Sequence, residues 1–499
     1  MPSPTRYPSA PVRRRRTLAA LAAGVLALAA LLWLLVGRNS VARVGAEAPN
    51  VVVVMTDDAT VRDLRVMNRT RRLVGDGGVE FVNSFATLPL CAPSRATFLT
   101  GQYAHNHGIR ANDEGKSAFD DFDDTDSVPQ TLQAAGYRTG FVGKYMNGLE
   151  IDKQADGWDF WAAKKGGVYD YELNRNGEIE KFGSKPSDHQ TDVSGEISRE
   201  FIARSARRDE PFFLFTSFSA PHGEQGGNKR RYNPRPAKRH EGAFDSRRTE
   251  RNKAYDESDV SDKPRSVRES NRLNPQRKRT LDKRVRSREA SLLAVDEQVE
   301  GIYEELRAAG VEDDTYVVFT SDNGYLFGEH RQTAKTLLYE NSIRVPLLMS
   351  GPGLPRGAER GGIVGNIDLA ATIYDVTGVE PGRTQDGISL AEAARDPELR
   401  AERALLIQNE GSAGVRAPGW VYIEYDATKQ GGREYELYDL RRDPEQLENL
   451  LDPDSGELAT ERDGAALELE RLRAELERLR GCAGEACRGE IERADEQSG

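Results

Sequence analysis

At 499 residues the chain exceeds one average domain, its 37% hydrophobic content supplies a core, and its 30% charged residues supply a well-solvated surface. The net charge of −11, with no basic motif interleaved by aromatic residues, argues against a nucleic-acid-binding protein. Charge is unevenly placed: between Lys229 and Arg288 stand 21 Lys+Arg against 9 Asp+Glu, which marks either a docking surface for an anionic partner or a solvated loop.

Taken in chain order, Arg13 to Arg16 precede an uninterrupted apolar run from Leu18 to Val36. With its flanks it reaches the ~20 residues that span a bilayer. The arginines place the N-terminal side in the cytoplasm, so the body lies outside it. Residues 1–16 read as a basic cytoplasmic tail, 17–37 as a transmembrane anchor or signal segment, and 38–48 as a linker. The run is long for a signal segment and favours the anchor, and Ala46-Glu47-Ala48 resembles a cleavage site far from it. The chain is expected to be extracytoplasmic, either membrane-anchored or secreted.

A continuous apolar, β-branched run over 50–55 predicts a strand buried on both faces. Further strands are predicted over 138–142, 212–218, 316–321 and 345–349, with helices over 128–135, 193–207, 290–309 and 367–376. This alternation predicts an α/β fold built on a mostly parallel sheet flanked by helices. Residues 223–288 read as a long basic insertion, either functional or disordered. After 384 the pattern shifts to short strands at 420–425 and 436–440 of a smaller antiparallel sheet, followed by an amphipathic helix over 465–480. The expected division is a catalytic domain over 49–383 and a C-terminal subdomain over 384–499. Of three cysteines, Cys482 and Cys487 lie close enough in sequence for a local disulfide outside the cytoplasm, which leaves Cys91 alone.

Ligands in open α/β sheets bind beyond the carboxyl ends of the strands. Here the first strand delivers Asp57-Asp58, the second Lys144, the third Pro221-His222 and the fourth Asp322-Asn323. Each alone is an ordinary turn, cap or structural histidine; together they outweigh that reading. Asp57, Asp58, Asp322 and Asn323 offer hard oxygen ligands suited to Ca²⁺ or Mg²⁺ rather than zinc.

The stretch Cys91-Ala92-Pro93-Ser94-Arg95-Ala96-Thr97-Phe98-Leu99-Thr100-Gly101 resembles the signature of the type I sulfatases, within the alkaline phosphatase superfamily. The resemblance implies an alkaline-phosphatase-like fold and oxidation of Cys91 to formylglycine by a formylglycine-generating enzyme. It implies one divalent cation, usually Ca²⁺, held by Asp57, Asp58, Asp322, Asn323 and the modified Cys91. Arg95 and Lys144 are implied to orient the formylglycine and the sulfate, Lys335 to contact the sulfate, and His222 to transfer the proton to the leaving alcohol. The form Gly143-Lys144-Tyr145-Met146-Asn147 is similar to the glucosamine-6-sulfatases, including those acting on heparan sulfate. It places Met146 where many sulfatases carry a second catalytic histidine. His105 or His107 is then a candidate to replace that histidine or to shape the substrate pocket, with Asn147 and His330 as neighbours of the site.

The activity implied is hydrolysis of a sulfate ester, on a sugar such as N-acetylglucosamine-6-sulfate, through a covalent sulfated intermediate. Two alternatives stand beside it: a formylglycine-type phosphonate or phosphodiester hydrolase, and a non-catalytic, membrane-anchored protein that binds sulfated glycans.

Overall fold

A computed structural model describes Met1, Ser3 and residues 44, 45, 47–113, 117–226, 229–231, 233–427, 431–460, 462–489 and 491–493. Apart from Met1 and Ser3, the basic tail, the apolar run and most of the linker expected at the N-terminus lie outside them. Among the described residues no helix is long and apolar enough to cross a membrane.

The elements that matter here are, in chain order, β1 (Asn50–Thr56), β2 (Val79–Phe81), α1 (Cys91–Thr100), α2 (Val128–Ala134), β3 (Arg138–Gly143), β4 (Phe160–Gly166), β5 (Tyr171–Arg175), β6 (Glu178–Phe182), α3 (Gln190–Ser205), β7 (Phe212–Ser217), α4 (Pro275–Ala308), β8 (Thr315–Ser321), β9 (Leu347–Ser350), β10 (Ala358–Arg360) and α5 (Asp368–Thr377). A ten-stranded sheet runs β10-β2-β9-β8-β1-β7-β3-β4-β5-β6. Its centre, β8-β1-β7-β3-β4, is parallel throughout. β9, β5 and β6 join antiparallel at the flanks, so the sheet is mixed around a parallel core.

β1 explains why the core is parallel. All seven of its residues are buried: Val51, Val53 and Met55 pack with α1, α2 and α5 on one face, and Val52 and Val54 with α3 and α4 on the other. A strand that is apolar at both parities needs helices on both sides, which βαβ crossovers supply.

One boundary differs widely from the sequence reading. The helix expected over 290–309 starts at Pro275, capped by the Asn274 side chain, which accepts from Arg277 N–H. The last part of the supposed insertion is therefore the front of the longest helix. Several cations of that segment are also engaged internally: Arg239 with Asp192 and Glu297, Arg235 with Glu224, and Arg268 with Glu434 and Asp454.

The C-terminal part folds as an antiparallel sheet of β11 (Leu405–Asn409), β12 (Ser412–Ala417), β13 (Trp420–Tyr425) and β14 (Glu434–Asp439), covered by α6 (Ala465–Arg480). Leu469, Leu472, Leu476 and Leu479 of α6 are buried in a core shared with Tyr103, Leu338 and Tyr339, while Leu467 faces out. Cys482 and Cys487 form a disulfide with their Cα atoms 5.1 Å apart.

Candidate active site

The strand ends converge because register aligns them. Thr56 pairs with Ser321, Met55 with Ser217, and Gly143 with Ser217, so Asp57-Asp58, Asp322-Asn323 and Lys144 leave the sheet at one edge, joined by the loop from β7 to His222. Asp58 adopts a left-handed backbone with φ 75°, which a non-glycine residue keeps only when its surroundings hold it. Those surroundings are visible. Asp58 N–H donates to Asp322 Oδ1 at 3.0 Å, Asn323 Nδ2 donates to Asp58 Oδ1 at 2.7 Å, and buried Arg288 of α4 donates to the Asp58 carbonyl at 2.5 Å.

Cys91 is the first residue of α1, where unpaired backbone N–H groups favour negative charge. Its Sγ lies 3.4 Å from Asp57 Oδ1 and accepts from Lys335 Nζ at 2.9 Å. One turn on, fully buried Arg95 donates to Asp322 Oδ2 at 3.1 and 2.9 Å, to the carbonyls of Lys144 and Tyr145 at 2.6 and 3.1 Å, and to Ser217 Oγ at 2.7 Å. Lys144 pairs with Asp57 and Lys335 with Asp58. Lys335 is held between two left-handed residues, Ala334 and Thr336, each at φ 87°. The C-terminal sheet steadies this loop, since Asn409 Nδ2 donates to the Thr336 carbonyl at 2.5 Å.

Charge balance follows from burial against these pairings. Burial opposes ionisation of Asp57, but Lys144, His222, Lys335 and Arg95 together hold its carboxyl well below the usual range. Asp58 is lowered in the same way, against burial, chiefly by Lys335 and His222. Asp322 goes the other way: burial and the neighbouring Asp57 raise it despite Arg95, Lys335 and Lys144. Burial, helped by Asp57, pushes the Cys91 thiol up to about 11, so the unmodified residue is a neutral thiol and a poor nucleophile.

Asp57, Asp58, Cys91 and His222 each present a ligand atom within 4.8 Å of the others, and Asp322 and Asn323 are hydrogen-bonded to Asp58 in the same cluster. Three buried carboxylates and an amide are an oxygen-rich set, which fits a hard divalent cation. His222 is half-buried, its Nε2 3.9 Å from Asp58 and its Nδ1 donating to the Gly223 carbonyl at 2.5 Å. A cleft of about 280 Å³ opens onto Asp57, Lys144 and His222, with Asn147 and Met146 in its wall.

Three histidines named from sequence are held elsewhere. His105 Nε2 bonds the Cys482 carbonyl at 2.8 Å. Buried His107 bonds Thr97 Oγ1 at 3.0 Å, and its Nδ1 accepts from Ile109 N–H at 3.1 Å. Buried His330 bonds Glu257 at 2.7 Å and stacks on Tyr339 at 4.2 Å between ring centres. None lines the cleft. Sequence reasoning missed Asn112, whose Oδ1 takes the Ala92 N–H at 2.9 Å at the start of α1, and Lys164 of β4 in the cleft wall. Neither stands in a motif.

The sulfatase family model matches residues 49–379, and a model described as N-sulphoglucosamine sulphohydrolase, C-terminal, matches 328–473. Human N-acetylglucosamine-6-sulfatase is 31% identical over 503 residues, covering 89% of this chain and 86% of the relative. An extracellular sulfatase Sulf-1 homolog of Caenorhabditis elegans is 34% identical over 353 residues, or 69% of this chain; the alignment spans 48% of that relative, about half its length. Among solved structures, one in complex with its substrate D-glucosamine-2-N,6-O-disulfate superposes with a TM-score of 0.71 at 22% identity, covering 86% of this chain and 97% of the other. The signature at Cys91, the converging strand ends and the match over the whole parallel sheet lead to one assignment: the chain belongs to the sulfatase family.

Proposed function

We propose that the chain is a sulfuric ester hydrolase that removes sulfate from a glucosamine-type sugar, with the 6-O-sulfate of N-acetylglucosamine as the first candidate. The observation that carries this reading is the placement of Cys91 at the start of α1, in contact with both Asp57 and Lys335. The sugar is supported by the human relative named for N-acetylglucosamine-6-sulfate and by the structural neighbour bound to a glucosamine disulfate. The complete set of paired acids and cations argues against a purely binding role, which needs no such cluster.

In this reading Cys91 is converted to formylglycine, whose hydrate supplies the oxygen that attacks sulfur. Asp57, Asp58, Asp322 and Asn323 would hold a Ca²⁺ ion, which adds positive charge against the sulfuryl oxygens. Lys144 and Lys335 bring fixed cationic donors to the same oxygens, stabilising charge that develops in the transition state. Arg95 acts one step back: it clamps Asp322 and the Lys144–Tyr145 backbone, fixing both relative to α1. His222 keeps a proton at Nδ1 against the Gly223 carbonyl, leaving Nε2 to take a proton from the attacking hydrate hydroxyl and deliver it to the departing ester oxygen.

The C. elegans relative named as extracellular supports an extracytoplasmic location, with residues 17–37 as anchor or signal segment and a formylglycine-generating enzyme as the maturation partner. The test is paired: the mass of tryptic peptide 73–95, and sulfate release from N-acetylglucosamine-6-sulfate by the same preparation. An aldehyde at position 91 with sulfate release supports the reading. An aldehyde without hydrolysis of any sulfate ester overturns it.

A further inference from the structure

Lys164 is a cation in the cleft that the chemistry above does not use and that, unlike Lys165, has no carboxylate partner among the described residues. It lies on β4 and lines the cleft together with Asp57, Lys144, Asn147 and His222. An ammonium has three N–H donors. Two of them meet the carbonyls of Gly166 at 2.6 Å and Gly167 at 3.2 Å. Among the described residues no carboxylate pairs with it.

The other charges around the cleft are taken. Lys144 pairs with Asp57, and Lys165 with Glu150. Glu224 lines the same cleft, but both its oxygens accept from Arg235 Nε at 2.8 Å. Of the cluster's other cations, Lys335 is bound to Asp58 and to Cys91 Sγ, and Arg95 to Asp322. Burial lowers the Lys164 ammonium to about 8, with Lys144 and Arg95 adding to the effect while Asp57 and Glu224 oppose it. A half-buried cation without a counter-ion is costly to keep charged, and an anion entering the cleft relieves that cost.

We propose that Lys164 is a specificity-determining residue that binds a second anionic group of the substrate, distinct from the ester being cleaved. The geometry separates the two roles. Lys144 and Lys335 contact the acidic cluster at Cys91, whereas Lys164 makes no hydrogen bond to that cluster and faces the same cleft. The group it takes is a sulfate or a carboxylate, on the same sugar or on the next one. The inference rests on the sulfated-sugar reading above and narrows it to substrates carrying at least two anionic groups.

The experiment compares wild type, Lys164→Met and Lys164→Arg in kcat and KM on three substrates: N-acetylglucosamine-6-sulfate, glucosamine-2-N,6-O-disulfate, and a 6-sulfated disaccharide carrying a uronate carboxylate. A hydrogen bond to a charged group is worth about ten- to a hundredfold in affinity. Lys164→Met is expected to lose that factor through KM on one or both doubly anionic substrates, with a change below about twofold on the monosulfated sugar. Lys164→Arg, which keeps the charge, is expected to retain most of the preference. The substrate that responds distinguishes sulfate from carboxylate. Equal loss on all three substrates, or no loss on either doubly anionic one, overturns the assignment. Aryl sulfates with and without a ring carboxylate give the same comparison without a sugar. If only aryl sulfates are hydrolysed, the glucosamine reading falls while Lys164 is still tested.

Discussion

Arg95→Met probes the part of the site that is most deeply built into the fold. Arg95 and Asp322 are both completely buried, and each is the other's main opposite charge. Breaking a buried pair by removing one member costs about 3–5 kcal/mol, because the remaining charge is uncompensated. The Lys144 and Tyr145 carbonyls and Ser217 Oγ also lose a donor, so the total is about 5 kcal/mol or more. With an unfolding entropy of about 2.1 cal/mol/K per residue over the unit from Val44 to Gly499, that is a fall in Tm of about 5 °C. The deficit depends on pH in a defined direction. Burial and Asp57 already raise the Asp322 carboxyl against Arg95, and without Arg95 it rises further. A carboxyl raised above its unfolded value favours the folded state at low pH, and that contribution is lost as pH rises through the folded value. Thermal unfolding in chelator is therefore expected to show a larger Arg95→Met deficit at about pH 8 than at about pH 5. The double variant Arg95→Met/Asp322→Asn should lose less than the sum of the single variants. A deficit that is independent of pH and additive with Asp322→Asn would refute the pairing argument.

Three further outcomes follow from the geometry. His107 is buried neutral, its pKa lowered from 6.5 to about 3 chiefly by burial. Its contribution to stability is full above pH 6.5 and is lost as pH falls toward 3. His107→Gln should therefore flatten the fall of Tm between pH 6.5 and about 4, and an unchanged slope counts against a buried neutral imidazole. Gly101 ends α1 at φ 68°, and a Cβ there would stand 1.8 Å from Gln385 Oε1. Gly101→Ala should lower Tm by at least about 1–2 °C, and no loss would mean that the α1–Gln385 contact is absent. Asp322→Ala should lose bound divalent cation by elemental analysis, and full metal content would remove Asp322 from the ligand set.

The site was legible in sequence where a local signal coincided with its structural cause. The apolar run of β1 must be buried on both faces, which fixes a parallel core and sends Asp57, Lys144 and Asp322 to one edge. The Cys91 stretch identified α1 because its identities are contiguous. What was less legible has two causes, a local helix start masked by dense charge and side-chain contacts that the linear sequence does not show. Dense charge made 275–288 look like loop, although Asn274-Pro275 is a helix start with its cap in place. His105, His107 and His330 are candidates by motif context alone, and the structure bonds them to Cys482, Thr97 and Glu257. Lys164 carries no sequence signal, because the cleft exists only once β4 lies beside β3.

The central claim is tested most directly by sulfate release from N-acetylglucosamine-6-sulfate, using protein produced with a formylglycine-generating enzyme, wild type beside Cys91→Ala. The account predicts release by wild type alone, with both proteins sharing one thermal unfolding profile. Equal release by both, or none by wild type carrying the aldehyde on any sulfate ester, would contradict it.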